Sequence, residues 1–106
     1  MHMRAKHKAV AKKQPALSQL RPAVLRVTKQ YGAKNVRIFG SFARGEQRER
    51  SDLDLLVELP EGSSLLDLAG LKVDLEEALH RKVDVLTDDG ISRYLRKRIL
   101  EEAKPI

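Results

Sequence analysis

The sequence predicts an α/β (α+β) fold in which helices pack mainly on one side of a small β-sheet. The chain has 106 residues, a length that supports one hydrophobic core but not two. Its apolar residues recur every three to four positions in some segments and every second position in others, in the order helix, strand, strand, helix, strand, helix. There is no internal repeat, so we expect one layered domain.

The first helix and the first strand follow from two different periods. Leucine, valine and tyrosine residues at helical spacing predict an amphipathic helix over residues 18–31. Ser18 is expected to cap it, which leaves Pro22 in the first turn, where a missing N–H is tolerated, and Gly32 is expected to end it. The β-branched and aromatic run VRIF, residues 36–39, predicts a short buried strand.

A short helical turn over residues 41–45, broken by Gly45, precedes the second strand. From residue 51 to residue 59, polar and apolar residues alternate, so that leucines and a valine share one face. Asp52 and Asp54 therefore point together to the other face.

The remaining elements carry their own start signals. Ser64 and Asp67 resemble a capping box that opens a helix extending through Leu79. The segment KVDVLT, residues 82–87, predicts a third strand. Ser92 is expected to cap a last helix, RYLRKRILEEA, whose apolar stripe consists of Leu95, Ile99 and Ala103.

Composition excludes several classes of site. The chain has no cysteine, and its three histidines are scattered, so disulfides, thiolate metal sites and zinc sites are not expected. Any metal must be bound by oxygen. No apolar run approaches the roughly 20 residues that cross a bilayer, and no signal-peptide core follows the basic N-terminus, so we expect a cytoplasmic protein with no membrane contact.

The formal net charge of +6 is concentrated at the N-terminus. Five Lys or Arg residues and no acidic residue lie within residues 1–14, whereas the rest of the chain is nearly balanced. We divide the chain into a basic, flexible tail, residues 1–15, and a domain, residues 16–106. A solubilising role for the tail is favoured, and loose contact with nucleic acid or an acidic partner is the alternative.

Asp52 and Asp54 lie about 7 Å apart at the backbone and can converge on one cation. Without a cation, their repulsion would raise at least one pKa. A hard divalent ion such as Mg²⁺ resolves this conflict, and a third carboxylate, Asp84, would complete a site for two Mg²⁺ ions about 4 Å apart. One ion could activate an attacking oxygen while the other steadies the phosphates.

Gly40, Ser41 and Arg44 predict a binding site for nucleotide phosphates. Gly40 lets the backbone approach a ligand, and the Ser41 hydroxyl can donate to a phosphate oxygen. Arg44 can contact phosphate or form a structural ion pair, and Ser41 can equally act as a helix cap.

Simpler explanations exist for the aspartates. Asp52 and Asp54 could be solvated positions on an exposed strand. The Gly-Ser pair before them and Asp84 after them make this the weaker interpretation. Asp88 and Asp89 are interpreted as turn residues.

The segments GSFARG, SDLDLLVE and VDVLT, in this order, resemble the minimal nucleotidyltransferase domain of the DNA polymerase beta-like superfamily, and the similarity covers nearly all of the chain beyond the tail. It implies a small mixed sheet, Mg²⁺, and transfer of a nucleoside monophosphate from an NTP with release of pyrophosphate. It assigns Gly40 and Ser41 to the nucleotide phosphates, Asp52 and Asp54 to both metal ions, and Asp84 to orienting or deprotonating the nucleophile.

Stand-alone members of this size resemble the antitoxin of HEPN/MNT toxin–antitoxin pairs. The resemblance therefore implies an ATP-dependent protein adenylyltransferase that adds AMP to a tyrosine of a HEPN-family RNase toxin. The alternative is a non-catalytic module that neutralises the toxin by binding it. The preferred NTP, the acceptor and a homo- or hetero-oligomeric state stay open. His80 is one departure, because many relatives have glycine before the third strand.

Overall fold

The computed structural model describes residues 16–106, so the predicted basic tail, residues 1–15, lies outside the described residues. The elements in chain order are α1 Leu17–Gln30, β1 Lys34–Phe39, α2 Ser41–Arg44, β2 Leu53–Glu58, α3 Leu65–Leu79, β3 Val83–Thr87, a 3-10 turn Asp88–Gly90, α4 Arg93–Glu102 and β4 Lys104–Pro105. Within this part of the chain, no helix has the length and apolar character needed to cross a membrane.

The four strands form one mixed sheet in the order β3-β2-β1-β4. β2 and β3 are parallel, with Asp54 opposite Asp84 and Leu55 opposite Val85. β1 pairs antiparallel with both β2 and β4. The small mixed sheet confirms the expected fold class. β4 was not expected, because its two residues are too few to show a period of two.

The two faces of the sheet differ in their cover. α1 and α3 pack on one face, which we call the core face. The side chains in this cluster with no solvent exposure are Val24, Leu53, Leu55, Val57, Leu71, Leu75 and Val83. Strand alternation places Leu53, Leu55, Val57 and Val83 on the core face, and the other three residues belong to α1 and α3. Burial of this surface provides most of the hydrophobic stabilisation.

The opposite face carries Asp54 and Leu56 on β2 and Asp84 and Leu86 on β3, and we call it the carboxylate face. Among the described residues, α4 and Ile91, which precedes it, pack against part of this face. The apolar residues of this smaller cluster are Leu56, Ile91 and Ile99, with Phe39, Leu86 and Ala103 packed around them. The helices therefore lie mainly on one side, as expected.

Several helix boundaries follow the predicted signals. Ser64 and Asp67 form the complete capping box of α3, and the Ser92 hydroxyl accepts from the Tyr94 N–H at the start of α4. Gly32, at φ 70°, follows the C-cap of α1 and donates its N–H to the Lys29 carbonyl.

The predicted start of α1 was wrong. Ala16 is the N-cap, and Ser18 lies inside the helix without capping it. Pro22 consequently lies in the second turn rather than the first. Leu17 packs against the core, which requires the helix to begin before Ser18. The apolar contact therefore overrides the local capping preference of serine.

The last helix also differs in part from its predicted apolar stripe. Ile99 is buried, but Leu95 is 48% exposed. α4 covers only a small area of the sheet, and this area accommodates Ile99 and Ala103 but not Leu95.

Candidate active site

Asp54 and Asp84 lie opposite each other on adjacent strands of the carboxylate face. The parallel register of β2 and β3 pairs their Cα atoms, and adjacent strands are separated by about 4.8 Å. Asp54 is half-buried and Asp84 is exposed. Asp52 is also exposed and directly precedes β2. The fold therefore places all three predicted carboxylates near the start of the parallel strand pair.

Asp54 is the electrostatic centre of this group. Its pKa is raised from the usual 3.8 to about 6, first by burial and then by the charge and hydrogen bond of Asp84 and the charge of Asp52. The charge of Arg44 opposes them. The repulsion expected from the sequence is thus present in the folded protein.

The three carboxylates interact without converging on one point. Among residues 16–106, no group of three or more His, Cys, Asp or Glu side chains has an arrangement that could hold a metal ion. The raised pKa of Asp54 and the all-oxygen donor set nevertheless fit a hard divalent cation, because such an ion would relieve the repulsion between the carboxylates.

Gly40 forms the wall of the site next to Asp54. It follows β1, where Phe39 pairs with Asp54, and it adopts φ 73° and ψ −152°, a region that is essentially restricted to glycine. A Cβ atom at this position would collide with the Asp54 carboxylate. Both the backbone conformation and the close approach therefore require glycine at position 40.

Ser41 is the first residue of α2 and is half-buried. The N-cap is Gly40, and no side chain caps this helix, so the interpretation of Ser41 as a cap is wrong. Ser41 directly follows Gly40, the residue that approaches the Asp54 carboxylate.

Arg44 forms two ion pairs at the end of α2. Its Nη1 lies 2.8 Å from Oε2 of Glu102, and its Nε lies 2.9 Å from Oε1 of Glu46. Oε1 of Glu102 accepts the Gly40 N–H at 2.7 Å. These contacts match the structural role considered for Arg44, while its contact with nucleotide stays a prediction.

Sequence reasoning missed two residues beside the site. One is Glu102, which lies 62 residues from Gly40 in the chain. The other is Arg81, whose Nη1 donates to the Ser51 carbonyl at 2.8 Å and whose guanidinium lies 5.6 Å from the centroid of the Phe42 ring. Arg81 therefore joins α2 to the loop that precedes Asp52. No local pattern identifies either contact.

Two groups outside the site have structural roles. Asp88 pairs with Arg37 at 2.6 Å in the 3-10 turn, in line with its interpretation as a turn residue. His80 ends α3 at φ 54°. Glycine adopts this left-handed conformation at lower cost than histidine, so either residue is compatible with the turn before β3.

The model of the nucleotidyltransferase domain family matches residues 17–106. A relative from Methanocaldococcus jannaschii, provisionally named a protein adenylyltransferase, is 48% identical over 87 residues, which cover 82% of this chain and 94% of the relative. The protein adenylyltransferase MntA of Thermococcus cleftensis is 36% identical over 72 residues, covering 68% of this chain and 73% of the relative.

Solved structures share the fold. One, provisionally described as a minimal nucleotidyltransferase, is 50% identical with a TM-score of 0.74, and the match covers 85% of this chain and 92% of that chain. A crystal structure of a toxin–antitoxin with AMP-PNP is 21% identical with a TM-score of 0.69, covering 77% and 68% of the two chains. A toxin–antitoxin MntA–HepT structure is 17% identical with a TM-score of 0.65, covering 82% and 68%.

Proposed function

Because the chain belongs to the nucleotidyltransferase domain family, we propose that it transfers AMP from ATP to a tyrosine of a HEPN-family RNase toxin and acts as the antitoxin of that pair. The observation that carries this proposal is the pairing of Asp54 with Asp84 beside the glycine-only turn at Gly40. The names of the adenylyltransferase relatives support AMP as the transferred group. The toxin–antitoxin neighbours, one of them with AMP-PNP, support the partner and the nucleotide.

The three carboxylates would hold Mg²⁺, with Asp52 and Asp54 contacting two ions and Asp84 contributing the third carboxylate. Bound Mg²⁺ supplies charge neutralisation for the triphosphate and polarises the attacking oxygen. The protein contributes the oxygen ligands, and their mutual repulsion in the absence of a cation favours binding of one.

The turn after β1 would hold the phosphates. Gly40 has no side chain, so a phosphate can approach the backbone beside Asp54. The Ser41 hydroxyl would donate to a phosphate oxygen, and Arg44 would place a positive charge at the end of α2. These three groups bring the triphosphate next to the carboxylates, which is most of what phosphoryl transfer requires of a protein.

Transfer would then proceed at the exposed side of β3. The tyrosine oxygen attacks the α-phosphorus of ATP, a new P–O bond forms, and the bond to pyrophosphate breaks. Asp84 would orient this oxygen and accept its proton. Its exposure leaves room for the side chain of another protein.

Intact-mass spectrometry of the protein incubated with the product of its neighbouring gene, the candidate toxin, and with ATP and Mg²⁺ tests this proposal. We expect the toxin to gain one or more AMP units. Asp52→Asn should abolish the gain, whereas Asp89→Asn, an exposed carboxylate of the 3-10 turn, should preserve it. A stable complex with no change in mass for any NTP would contradict the enzymatic role and favour neutralisation by binding.

A further inference from the structure

The carboxylate of Glu102 is bound to two of the groups that would receive the phosphates. Its Oε1 accepts the Gly40 N–H at 2.7 Å, and its Oε2 pairs with Arg44 at 2.8 Å. A carboxylate and a phosphate are both anions with oxygen acceptors, so they compete for the same donors. Glu102 is thus bound where an oxyanion of the nucleotide would be bound.

The backbone around Glu102 is fixed on both sides. Glu102 is the last residue of α4, which is anchored by buried Ile99. The following residues form β4, where Lys104 pairs with Ile38. The carboxylate can therefore leave the Gly40 N–H and Arg44 by rotation of its own side chain, with no movement of the main chain.

A second cation is available for the displaced side chain. Arg98 lies four residues before Glu102 on α4, a spacing that places two side chains next to each other on a helix. The hydrogen bonds from Arg44 and the Gly40 N–H hold the pKa of the Glu102 carboxyl below its usual range, and the charge of Arg98 adds a smaller effect in the same direction. Glu102 can thus exchange one arginine for another and remain ionised.

We propose that Glu102 is an internal competitor of the nucleotide that occupies Gly40 and Arg44 until the phosphates displace it. This inference rests on the proposed function, because it requires a nucleotide at the same turn. Glu102 lowers the affinity for nucleotide, and it keeps Arg44 and the Gly40 N–H paired while no nucleotide is bound.

The affinity of Glu102→Gln for ATP in the presence of Mg²⁺, measured by isothermal titration calorimetry, tests the proposal. Glutamine keeps an oxygen that can accept the Gly40 N–H but removes the charge that competes for Arg44. We expect the dissociation constant to fall by about three- to tenfold, as the loss of one partly exposed charged contact predicts. The KM for ATP should fall in parallel, without a rise in kcat.

Glu46→Gln is the matched control. Glu46 also pairs with Arg44, but its side chain is 66% exposed, against 20% for Glu102, and the Gly40 N–H is bonded to Glu102. We expect its dissociation constant to change by less than about twofold. If Glu102→Gln does not fold, Glu102→Asp provides a second test, because its side chain is shorter by one methylene and its contacts with the two donors are weakened.

The outcomes separate this inference from the proposed function. Tighter binding by the Glu102 variant and unchanged binding by the Glu46 variant would support the competitor role. Equal or weaker binding by the Glu102 variant would overturn it while leaving the wild-type nucleotide site intact. Absence of ATP binding by the wild type and by both variants would overturn both proposals.

Discussion

The same strands present apolar side chains to one face of the sheet and carboxylates to the other. On β2, Leu53 and Leu55 point to the core face with no solvent exposure, while Asp54 points to the carboxylate face with a pKa raised to about 6. On β3, Val83 is buried and its neighbour Asp84 is exposed. Residues one position apart on a strand therefore either bury apolar surface in the core or line the candidate site.

This division explains how a small domain accommodates three nearby carboxylates. Their repulsion opposes folding, but α1 and α3 bury a continuous apolar surface on the other side of the same strands. Mutations on the core face should change stability and leave the chemistry of each folded molecule unchanged. Mutations of the three carboxylates should mainly change transfer, and mutation of Gly40, which lies against Asp54 at the end of β1, should affect both.

Leu55→Ala should produce the largest change in stability. Leu55 is fully buried at the centre of β2, so truncation leaves a cavity and should lower the free energy of unfolding by about 2 to 5 kcal/mol. Chemical denaturation measures this loss. AMP transfer per folded molecule should be unchanged.

Leu95→Ala is the control for Leu55→Ala, because Leu95 is 48% exposed on α4. Its free energy of unfolding should change by less than about 0.5 kcal/mol. Loss of transfer in folded Leu55→Ala would show that the two faces are not independent.

Gly40→Ala should affect both stability and transfer, because Gly40 directly follows β1 and lies against the Asp54 carboxylate. Its backbone conformation disfavours alanine, and the added methyl group would displace Asp54. We expect a loss of about 1 to 3 kcal/mol in the free energy of unfolding, with transfer reduced by at least about tenfold. Denaturation and intact-mass assays on the same sample measure the two effects.

Gly45→Ala separates the collision from the backbone strain. Gly45 has the same φ of 73°, but an added Cβ would have nothing within 4 Å. It should therefore lose stability and keep transfer. Equal loss of transfer in both variants would show that the collision of the added methyl group with Asp54 is not the cause of the loss.

Much of this organisation could be predicted from the sequence, because it depends on local periods. Alternation over residues 51–59 predicted that Leu53, Leu55 and Val57 share the core face, and the Ser64 capping box predicted the start of α3. Both signals depend on residues a few positions apart. Asp84 was predicted in the same way, from its position on the polar side of a strand.

The features that could not be predicted depend on long-range contacts. Glu102 reaches Gly40 only because α4 packs on the carboxylate face and β4 pairs with β1. Nothing near Glu102 in the sequence distinguishes it from Glu101, which is exposed. The Ser18 cap failed for a related reason, since burial of Leu17 determines where α1 begins.

Asp54→Asn should give the smallest effect on stability and the opposite sign to Leu55→Ala. Because the folded pKa of Asp54 is raised from 3.8 to about 6, its ionisation destabilises the metal-free protein as pH rises through this window and has no such effect below pH 4. Other carboxyl groups act in the opposite direction, since the pKa values of Glu76 and Glu102 are lowered. The informative quantity is therefore the difference between wild type and variant, not the pH profile of either protein alone.

We expect that difference to favour Asp54→Asn by about 1 to 2 kcal/mol more at pH 7 than at pH 4, a range that allows for solvent screening of a half-buried group. Denaturant unfolding of both proteins at the two pH values, without divalent cations, measures it. A difference independent of pH would mean that neither burial nor the neighbouring carboxylates raise the pKa of Asp54 in the folded protein. The carboxylate face would then impose no electrostatic cost on the fold, and the contrast with the core face would lie in burial alone.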